Sequence, residues 1–417
     1  MSAVLKQQAN EARERAWSIP LDQIDPSDPE LHRNDTIGYY FERLRKECPV
    51  HRASTERFGE FWSVTKYNDI MQTELNHKVF SSEPAITLRD LPEEFRRPMF
   101  IAMDPPKHDE QRKTVSPIVA PANLARLEST IRERTQRVLD GLPRNEEFNW
   151  VEKVSIELTT LMLATLFDFP LEDRKLLTWW SDVATVDLTS GHEIDTDEKR
   201  MAELGKCLEY FTRLWNERVN AEPGPDLISM LAHSPATRHM SPHEFLGNLI
   251  LLIVGGNDTT RNSMSGSIVA LNRFPDEYTK LIANPGLIPT SFVPEVVRWQ
   301  TPLSHMRRTA KADGEIGGQK IKAGEKVGMW YLSANFDDEA IENPYQFIID
   351  RKRPRQHISF GFGIHRCVGN RLAELQVKIL WEEVLKRFDR IELAGEPERT
   401  FSNFVHGWVN VPVRIPA

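Results

Sequence analysis

The longest helical pattern in the chain covers residues 242–273, and it constrains the fold more than any other feature. Ser241 can cap its first turn, a proline suits that turn, and Glu244 completes a capping box. Phe274-Pro275 ends the pattern. Thirty-two residues at 1.5 Å per residue give a helix of about 48 Å. A helix of that length crosses a whole domain, so the other elements must pack around it.

The rest of the chain shows mostly helical patterns and a few strands. Helices are expected over residues 67–75, 121–141, 149–169, 291–300 and 370–388 and in two stretches between 171 and 220; strands are expected at 61–64, 315–321, 326–330 and within 390–416. Five prolines between residues 83 and 106 predict a loop. The sequence therefore predicts a mainly α fold with a minor β region. We expect one domain over residues 1–417, with 1–20 as an N-terminal helical extension.

Composition excludes several classes of protein. A net charge of −8 argues against nucleic acid as a partner. The three cysteines, Cys48, Cys207 and Cys367, lie far apart, which excludes a disulfide scaffold and a zinc-finger pattern and suits a reducing compartment. The first 20 residues lack the apolar core of a signal peptide, and the longest apolar run, residues 249–254, is too short to span a bilayer. We therefore expect a cytoplasmic protein without a membrane anchor.

A single cysteine lies between a glycine-rich loop and the start of the helix expected at 370–388. A thiolate at Cys367 would gain from the free N–H groups and the dipole of that helix. Gly361, Gly363 and Gly369 allow the backbone to pass close to a flat, bulky group. A cysteine thiolate is also the axial ligand that favours O–O cleavage at haem iron. The loop is therefore a candidate haem-binding segment.

The spacing Phe-x-x-Gly-x-His-x-Cys-x-Gly over residues 360–369 resembles the haem-binding loop of the cytochrome P-450 family. The resemblance extends from about Pro20 to Pro412. It implies the cytochrome P-450 fold, with a long central helix over haem b, and Cys367 as the iron ligand beside Phe360 and Gly361. It also implies a monooxygenase that inserts one oxygen atom from O₂ into an unactivated C–H bond.

The middle of the long helix reads Gly-Gly-Asn-Asp-Thr-Thr over residues 255–260. Two glycines within a helix cost about 1 kcal/mol each relative to alanine, so they predict a kink or a close approach to a ligand at Gly255. O₂ activation consumes two protons, which Thr259 and Asp258 could hold and relay. Helix–helix packing at the glycines, with a threonine bonding back to its own helix, is the alternative. The segment also resembles the oxygen-activating helix of the family, which favours the catalytic interpretation.

Two further sets of charged residues match family motifs. Haem carries two propionates, and the resemblance places His108, Arg112, Arg308 and His365 near them, although Arg307 is an alternative to its neighbour. Glu295 and Arg298 lie three residues apart on one helix face, where an exposed pair would contribute little. The family motif implies a buried pair joined by a third arginine. Residues 351–355 contain the candidates for that third arginine, and the role is structural.

Apolar residues are expected to line the substrate pocket, which implies an apolar substrate bound by contact area. Each of them could also belong to the core. The eight candidates are Ile86, Leu88, Leu251, Val254, Leu303, Met306, Phe404 and Val405. Residues 255–266 and 329–335 resemble the bacterial branch that hydroxylates medium-chain alkanes and fatty acids at the terminal carbon. A terpenoid, or a fatty acid attacked below its terminus, is the alternative substrate.

Electrons must come from other proteins, because the chain has no flavin or iron–sulfur motif. Soluble bacterial members of the family imply a two-iron ferredoxin and a flavin-dependent ferredoxin reductase, which draws on NAD(P)H. A basic cluster on an acidic chain suits docking of an acidic carrier, although a solvated loop with one buried arginine would give the same pattern. The cluster comprises Arg351, Lys352, Arg353, Arg355, Arg366, Arg371 and Lys378.

The same residues suggest two other classes of function. A haem-based sensor without turnover would not need Asp258 and Thr259 together. A cysteine hydrolase would use Cys367 with His365, but side chains two residues apart on a glycine loop poorly support a nucleophile and its base. The sequence favours the haem-thiolate monooxygenase over both.

Overall fold

The computed structural model describes residues 3–417, with side chains from residue 9 onward, and its long central helix has the bounds that its capping residues predict. The predicted mainly α fold with a minor β region is confirmed. The helices in these residues are α1 (Ala3–Ser18), α2 (Pro29–Arg33), α3 (Ile37–Glu47), α4 (Tyr67–Leu75), α5 (Lys107–Val115), α6 (Pro121–Asp140), α7 (Glu157–Phe167), α8 (Lys175–Thr185), α9 (Asp197–Val219), α10 (Leu227–His233), α11 (Pro242–Arg273), α12 (Pro275–Ala283), α13 (Val293–Gln300), α14 (Tyr331–Ala334) and α15 (Asn370–Arg387).

Within residues 3–417 the strands are short and form four small sheets. They are β1 (Val50–Thr55), β2 (Gly59–Val64), β3 (Phe80–Ser81), β4 (Glu147–Asn149), β5 (Met306–Ala310), β6 (Gly314–Ile316), β7 (Gln319–Ile321), β8 (Lys326–Met329), β9 (Glu392–Leu393), β10 (Glu398–Arg399), β11 (Trp408–Asn410) and β12 (Pro412–Arg414). The largest sheet has the order β1-β2-β8-β5-β3, in which only β2 and β8 pair in parallel. The others have the orders β4-β12-β9, β10-β11 and β6-β7.

The N-terminus of α11 forms half of the predicted capping box. The Ser241 side chain accepts a hydrogen bond from the Glu244 backbone N–H at 3.3 Å. The Glu244 carboxylate does not complete the box; it accepts hydrogen bonds from Gln111 at 2.5 Å and pairs with Lys107 at 2.8 Å. These bonds join α11 to α5 instead, because α5 presents two donors to this end of the helix.

The two halves of α11 lie in different parts of the core. Its first half, through Ile253, packs with α7, α8, α9 and α10. Its second half, from Met264, packs with α12, α13 and α15 around the buried Trp381. The stretch between these halves lies beside a cavity rather than inside a continuous apolar core. The fold thereby holds the glycine-rich middle of α11 against an open interior space.

The helix predicted at 149–169 differs from the structure. Asn149 ends β4, residues 151–156 form a π-helical turn, and the α-helix begins only at Glu157. β4 pairs with β12 near the C-terminus, a long-range contact that local periodicity does not show. In the described residues, no helix is long and apolar enough to cross a membrane.

Candidate active site

A cavity of about 330 Å³ lies between α11, α15 and the loop that carries Cys367. Its lining is mainly apolar. Leu251, Val254, Gly255 and Thr259 reach it from α11, at spacings of three and four residues that place them on one helix face. Residues from the proline-rich loop and from β5 close other sides. The cavity can therefore hold a flat prosthetic group and an apolar substrate together.

Cys367 faces this cavity just before α15. Its backbone N–H donates to the carbonyl of Phe360 at 2.7 Å, which closes the loop. Gly363 has a φ of +64°, and a Cβ there would lie 2.8 Å from the backbone oxygen of Glu74, so this position requires glycine. Phe360 and Gly361 also line the cavity. The glycines thus bring the loop backbone close to α4 while the sulfur stays accessible from the cavity.

Burial raises the pKa of the Cys367 thiol. The backbone N–H groups of Gly369 and Asn370 and the charges of Arg112 and Arg366 act in the opposite direction and favour the thiolate. Cys367 lies within the protein and exposes its surface to the cavity rather than to bulk solvent. A cation bound directly to the sulfur would supply the stabilisation that these donors leave incomplete.

A haem group fits the residues around this sulfur. Among the described residues there is no cluster of three or more His, Cys, Asp or Glu side chains that could hold a metal ion, so a metal on Cys367 needs most of its ligands from a prosthetic group. Two buried histidines beside the loop also have ring nitrogens without a hydrogen-bond partner in residues 9–417. The porphyrin of haem b would supply the ligands, and its propionates would supply acceptors for the histidines.

His108 and His365 lie with their ring centroids 4.2 Å apart. His108 Nδ1 bonds to Asp109 at 2.7 Å, but its Nε2 and both ring nitrogens of His365 are buried without hydrogen-bond partners in the described chain. Burial lowers the pKa of His108, and burial with the nearby Arg308 lowers that of His365 to about 2, so both rings are neutral. His365 is not hydrogen-bonded to Cys367, which contradicts the nucleophile–base arrangement of a hydrolase.

The two arginines expected near the propionates both line the cavity. Arg112 donates to the carbonyl of Arg366 at 2.5 Å, in the turn before Cys367. Arg308 pairs with the buried Glu74 at 2.5 Å, whereas Arg307 points to the other side of β5 and pairs with Asp90 at 2.6 Å. The alternation of side chains along a strand separates the two neighbours and places Arg308 at the cavity.

The two glycines of α11 have different surroundings. A Cβ on Gly255 would meet nothing within 4 Å, and this residue faces the cavity. A Cβ on Gly256 would lie 2.6 Å from the side chain of Leu163 in α7. The Thr259 hydroxyl lines the cavity and donates to the Gly255 carbonyl at 2.9 Å. Both glycines line the cavity and Gly256 also packs against α7, so cavity lining and helix packing both apply at this pair.

Asp258 does not line the cavity. Its buried carboxylate accepts hydrogen bonds from Ser181 at 3.0 Å and Thr185 at 3.2 Å, and it pairs with Arg261 at 3.0 Å. Burial raises its pKa, while Arg261 opposes that shift. Thr185 does line the cavity, so Asp258 is connected to the cavity through this hydroxyl.

Glu295 and Arg298 form a buried ion pair on α13, at 2.8 Å. Arg351 is the third member, because its Nε donates to Glu295 at 2.8 Å. The two arginines also donate to backbone carbonyls of residues 335–346, including those of Asn335 and Gln346. The network ties α13 to the segment that leads into the cysteine loop.

Six of the eight apolar residues predicted for the substrate pocket line the cavity, and two do not. The six are Ile86, Leu251, Val254, Leu303, Met306 and Phe404. Leu88 instead packs into a core cluster with Phe61 and Trp330, and it is 1% exposed. Val405 is buried and bridges Leu303 through its backbone. Both corrections arise in irregular segments, where no period shows which way a side chain points.

The sequence interpretation missed several residues of the cavity wall. They include Phe100, Val115, Met162, Leu166, Thr185 and Leu372, together with the charged Asp90, Arg96 and Arg97. The apolar members carry no signal that separates them from core residues. The adjacent arginines at 96 and 97 in the proline-rich loop are a sequence signal that could identify charged residues of this wall.

Three residues of the predicted basic cluster form ion pairs within the protein. Arg351 belongs to the Glu295 network, Arg355 pairs with Glu374, and Lys378 pairs with Glu128 at 3.5 Å. The other four side chains are exposed and have no acidic partner in the described part of the chain. They are Lys352, Arg353, Arg366 and Arg371, named here the basic patch.

Known proteins are similar to this chain in sequence and in fold. The family model of Cytochrome P450 matches residues 289–415. The solved structure of CYP153D17 from Sphingomonas sp. PAMC 26605 is similar with a TM-score of 0.90 and 50% sequence identity, covering 95% of this chain and 100% of that chain. Linalool 8-monooxygenase of Pseudomonas putida is 34% identical, over 94% of this chain and 99% of the relative. Methyl-branched lipid omega-hydroxylase of Mycobacterium bovis is 32% identical, over 89% of this chain and 90% of the relative.

Proposed function

Because the chain belongs to the cytochrome P450 family, whose members are haem b monooxygenases that receive electrons from NAD(P)H through redox partners, we propose that it hydroxylates the terminal carbon of medium-chain alkanes or fatty acids. The observation that carries this proposal is the apolar cavity that joins Thr259 and Cys367. When bound, haem b supplies the activation of O₂ and the transfer of one oxygen atom.

The residues that would hold the haem are those brought together at one side of the cavity. Cys367 would bind the iron, and His108, Arg112, Arg308 and His365 would bind the propionates. Arg308 already pairs with Glu74, so it would share its charge between two acceptors. The unpartnered nitrogens of the two histidines support this assignment most directly.

Thr259 and Asp258 would deliver protons. The Thr259 hydroxyl faces the cavity and can pass a proton onward while it accepts another. Asp258 lies on the far side of α11 and would exchange protons with the cavity through Thr185. Burial raises the pKa of the Asp258 carboxyl, and the charge of Arg261 acts against that shift.

Terminal attack is supported by the chemistry of the wall and by the relatives. Apolar side chains from the proline-rich loop, α11 and β5 would hold an alkyl chain by contact area. A terminal C–H bond is stronger than an internal one, so a narrow channel must present the methyl end. The relative named methyl-branched lipid omega-hydroxylase supports an omega position.

A terpenoid substrate is a second candidate, and a single observation favours it. The relative named linalool 8-monooxygenase is 34% identical to this chain over nearly its whole length. A compact terpenoid would use the same apolar wall but would not need an elongated channel.

For electron delivery we propose a two-iron ferredoxin with a flavin-dependent, NAD(P)H-linked reductase, in the cytoplasm. The basic patch supports this, because four exposed cations on a chain with a net charge of −8 would attract an acidic carrier. Mutation of patch residues should weaken reduction in a way that high salt reproduces.

Competition between substrates tests the proposed function. The haem-loaded protein, with a surrogate ferredoxin, its reductase and NADH, would receive octane, dodecanoic acid and limonene together, and products would be separated by gas chromatography. Octan-1-ol or 12-hydroxydodecanoate as the main product is expected. Allylic or internal alcohols alone would contradict terminal hydroxylation and favour the terpenoid or subterminal alternative.

A further inference from the structure

Among the arginines of the cavity wall, one has neither an ion pair nor a carbonyl acceptor for its side chain in the described residues. Arg97 lines the cavity, its Nε is buried, and that atom has no hydrogen-bond partner in residues 9–417. Its only hydrogen bond in that range is a weak one, from its terminal nitrogen to the sulfur of Met201 at 3.9 Å. Burial lowers the pKa of Arg97 to about 10, so the guanidinium is still charged at neutral pH. A partly buried charge whose side chain has no oxygen acceptor is unfavourable, so this position favours an anion from outside the protein.

The carboxylate whose charge acts on Arg97 is Asp197, and it already has other partners. Asp197 receives hydrogen bonds from Arg89 on both oxygens, at 2.9 and 2.6 Å, and pairs with Arg200 at 3.5 Å. Arg89 and Arg200 therefore already share this carboxylate, and Arg97 adds a third positive charge within range of it, which leaves this end of the cavity with an excess of positive charge. The excess contrasts with the net charge of −8 on the whole chain.

The remaining charged groups of the cavity wall have other partners. Asp90 is neutralised by Arg307 and Lys326, at 2.6 and 2.7 Å. Arg308 pairs with Glu74, as described above. An acidic substrate would therefore meet no free carboxylate along the described wall, and Arg97 is the cation best placed to receive it.

The loop that carries Arg97 contacts α11 at a point far from Thr259. A Cβ on Gly247 would lie 2.0 Å from the carbonyl oxygen of Pro98 and 3.1 Å from the carbonyl carbon of Arg97, so this part of the loop rests on α11 at Gly247. Thr259 is twelve residues further on, which is about 18 Å along the helix. Apolar residues, including Leu251 and Val254, line the cavity between these two points.

We propose that Arg97 binds the carboxylate of a medium-chain fatty acid whose methyl end points to Thr259 and Cys367. A guanidinium can pair with a carboxylate through two parallel N–H···O bonds, which fixes the orientation of the acid as well as its affinity. This inference rests on the proposed function and selects the fatty acid over the alkane within it. It also explains terminal attack, because anchoring one end of an extended chain places the opposite end at a fixed depth.

Ligand titrations of the haem-loaded protein test the assignment. Shifts of the haem Soret band would give Kd for dodecanoate and for methyl dodecanoate, which has the same alkyl chain without the charge. In Arg97→Gln, Kd for dodecanoate should rise at least tenfold, about 1.4 kcal/mol, while Kd for the ester changes less than twofold. Arg97→Lys should recover part of the loss.

Arg126→Gln is the matched control, because Arg126 is an exposed arginine of α6 outside the cavity wall, and its Nη2 donates to the Asn123 side chain at 2.6 Å. It should change Kd for dodecanoate less than threefold. Equal weakening of acid and ester in Arg97→Gln, or no weakening of either, would overturn the carboxylate site. Internal hydroxylation of dodecanoate, with the expected Kd pattern, would instead overturn terminal hydroxylation and leave the carboxylate site standing.

Discussion

Thr259 and Asp258 are adjacent in the sequence but have different surroundings, because successive residues of an α-helix point about 100° apart. Thr259 faces the cavity, whereas Asp258 faces α8 and its hydroxyl groups. The pair therefore links two sides of α11. A proton relay needs a group on each side, one at the reacting oxygen and one that reaches toward polar surroundings.

Replacing Thr259 by alanine should uncouple electron consumption from product formation. The variant keeps Cys367 and the apolar wall, so haem and substrate binding should persist while NADH is diverted to hydrogen peroxide. The yield of product per NADH consumed should fall at least about tenfold, which is a smaller loss than is usual when a proton-transfer group is removed. Thr259→Ser retains the hydroxyl and is the control. Unchanged coupling in Thr259→Ala would contradict the relay role.

The Glu295 network should be far more important for stability than a surface ion pair of similar geometry. Glu295→Gln leaves Arg298 and Arg351 without their carboxylate in a buried site, and the free energy of unfolding should fall by about 3–5 kcal/mol. Urea unfolding followed by tryptophan fluorescence would measure it.

The matched control is Glu133→Gln, because Glu133 pairs with Arg137 at 2.7 Å with both side chains at least 70% exposed. That substitution should change stability by less than about 1 kcal/mol. Equal effects of the two substitutions would show that the buried network is not a stabilising element.

At the scale of elements, the first half of α11 is held by a loop as well as by helices, and its second half is held by helices. The loop before α5 rests on Gly247, where no side chain could fit, and the Asn248 side chain accepts a hydrogen bond from the Phe100 N–H at 3.0 Å. The loop therefore takes its position from α11. This contact also sets where Arg97 meets the cavity.

Alanine substitutions at two glycines of α11 should have opposite effects. Gly247→Ala places a methyl group against the Pro98 backbone, so the loop must move and the free energy of unfolding should fall by about 1–3 kcal/mol. Gly255→Ala meets no atom within 4 Å and gains helix propensity, so stability should hold or rise by up to about 1 kcal/mol. Urea unfolding of both variants checks this. A larger loss for Gly255→Ala would contradict the assignment of the two surfaces.

The sequence predicts the bounds of a helix best where capping residues or prolines mark its ends. The bounds of α11 agree with the structure because a capping serine and two prolines mark them in the sequence, and the bounds of α4 agree although no capping side chain or proline marks them. The sequence could not select Arg351 as the third member of the Glu295 network, because that choice depends on a contact between distant segments. It also misplaced Leu88 and Val405, since irregular backbone has no period from which orientation can be read.

For the whole molecule, two buried histidines should make stability depend on pH. The rings of His32 and His305 both pack against Trp330 at a tilt. Burial lowers the pKa of His32 to about 3 and that of His305 to about 4. In the unfolded chain they take up protons below about pH 6.5, so the unfolded state binds more protons between pH 6.5 and 4. The free energy of unfolding should therefore fall as pH decreases through this range, by about 1.4 kcal/mol per pH unit for each histidine.

His305→Asn would test this dependence, because asparagine can still donate to the Asn403 carbonyl that His305 Nδ1 contacts at 3.0 Å. Urea unfolding at several pH values should give a slope that is lower by about 1.4 kcal/mol per pH unit than that of the unmodified protein. An unchanged slope would show that His305 is not neutral in the folded state.

The assignment of Cys367 as the iron ligand is the central claim about this molecule, and one spectrum tests it most directly. The reduced, carbon monoxide-bound protein should show the strongly red-shifted Soret band of a haem-thiolate, and Cys48→Ser should retain that band because Cys48 lies outside the cavity wall. Cys367→Ser should lose the band. A normal red-shifted band in Cys367→Ser would contradict the ligand assignment and with it the mechanism built on the cavity.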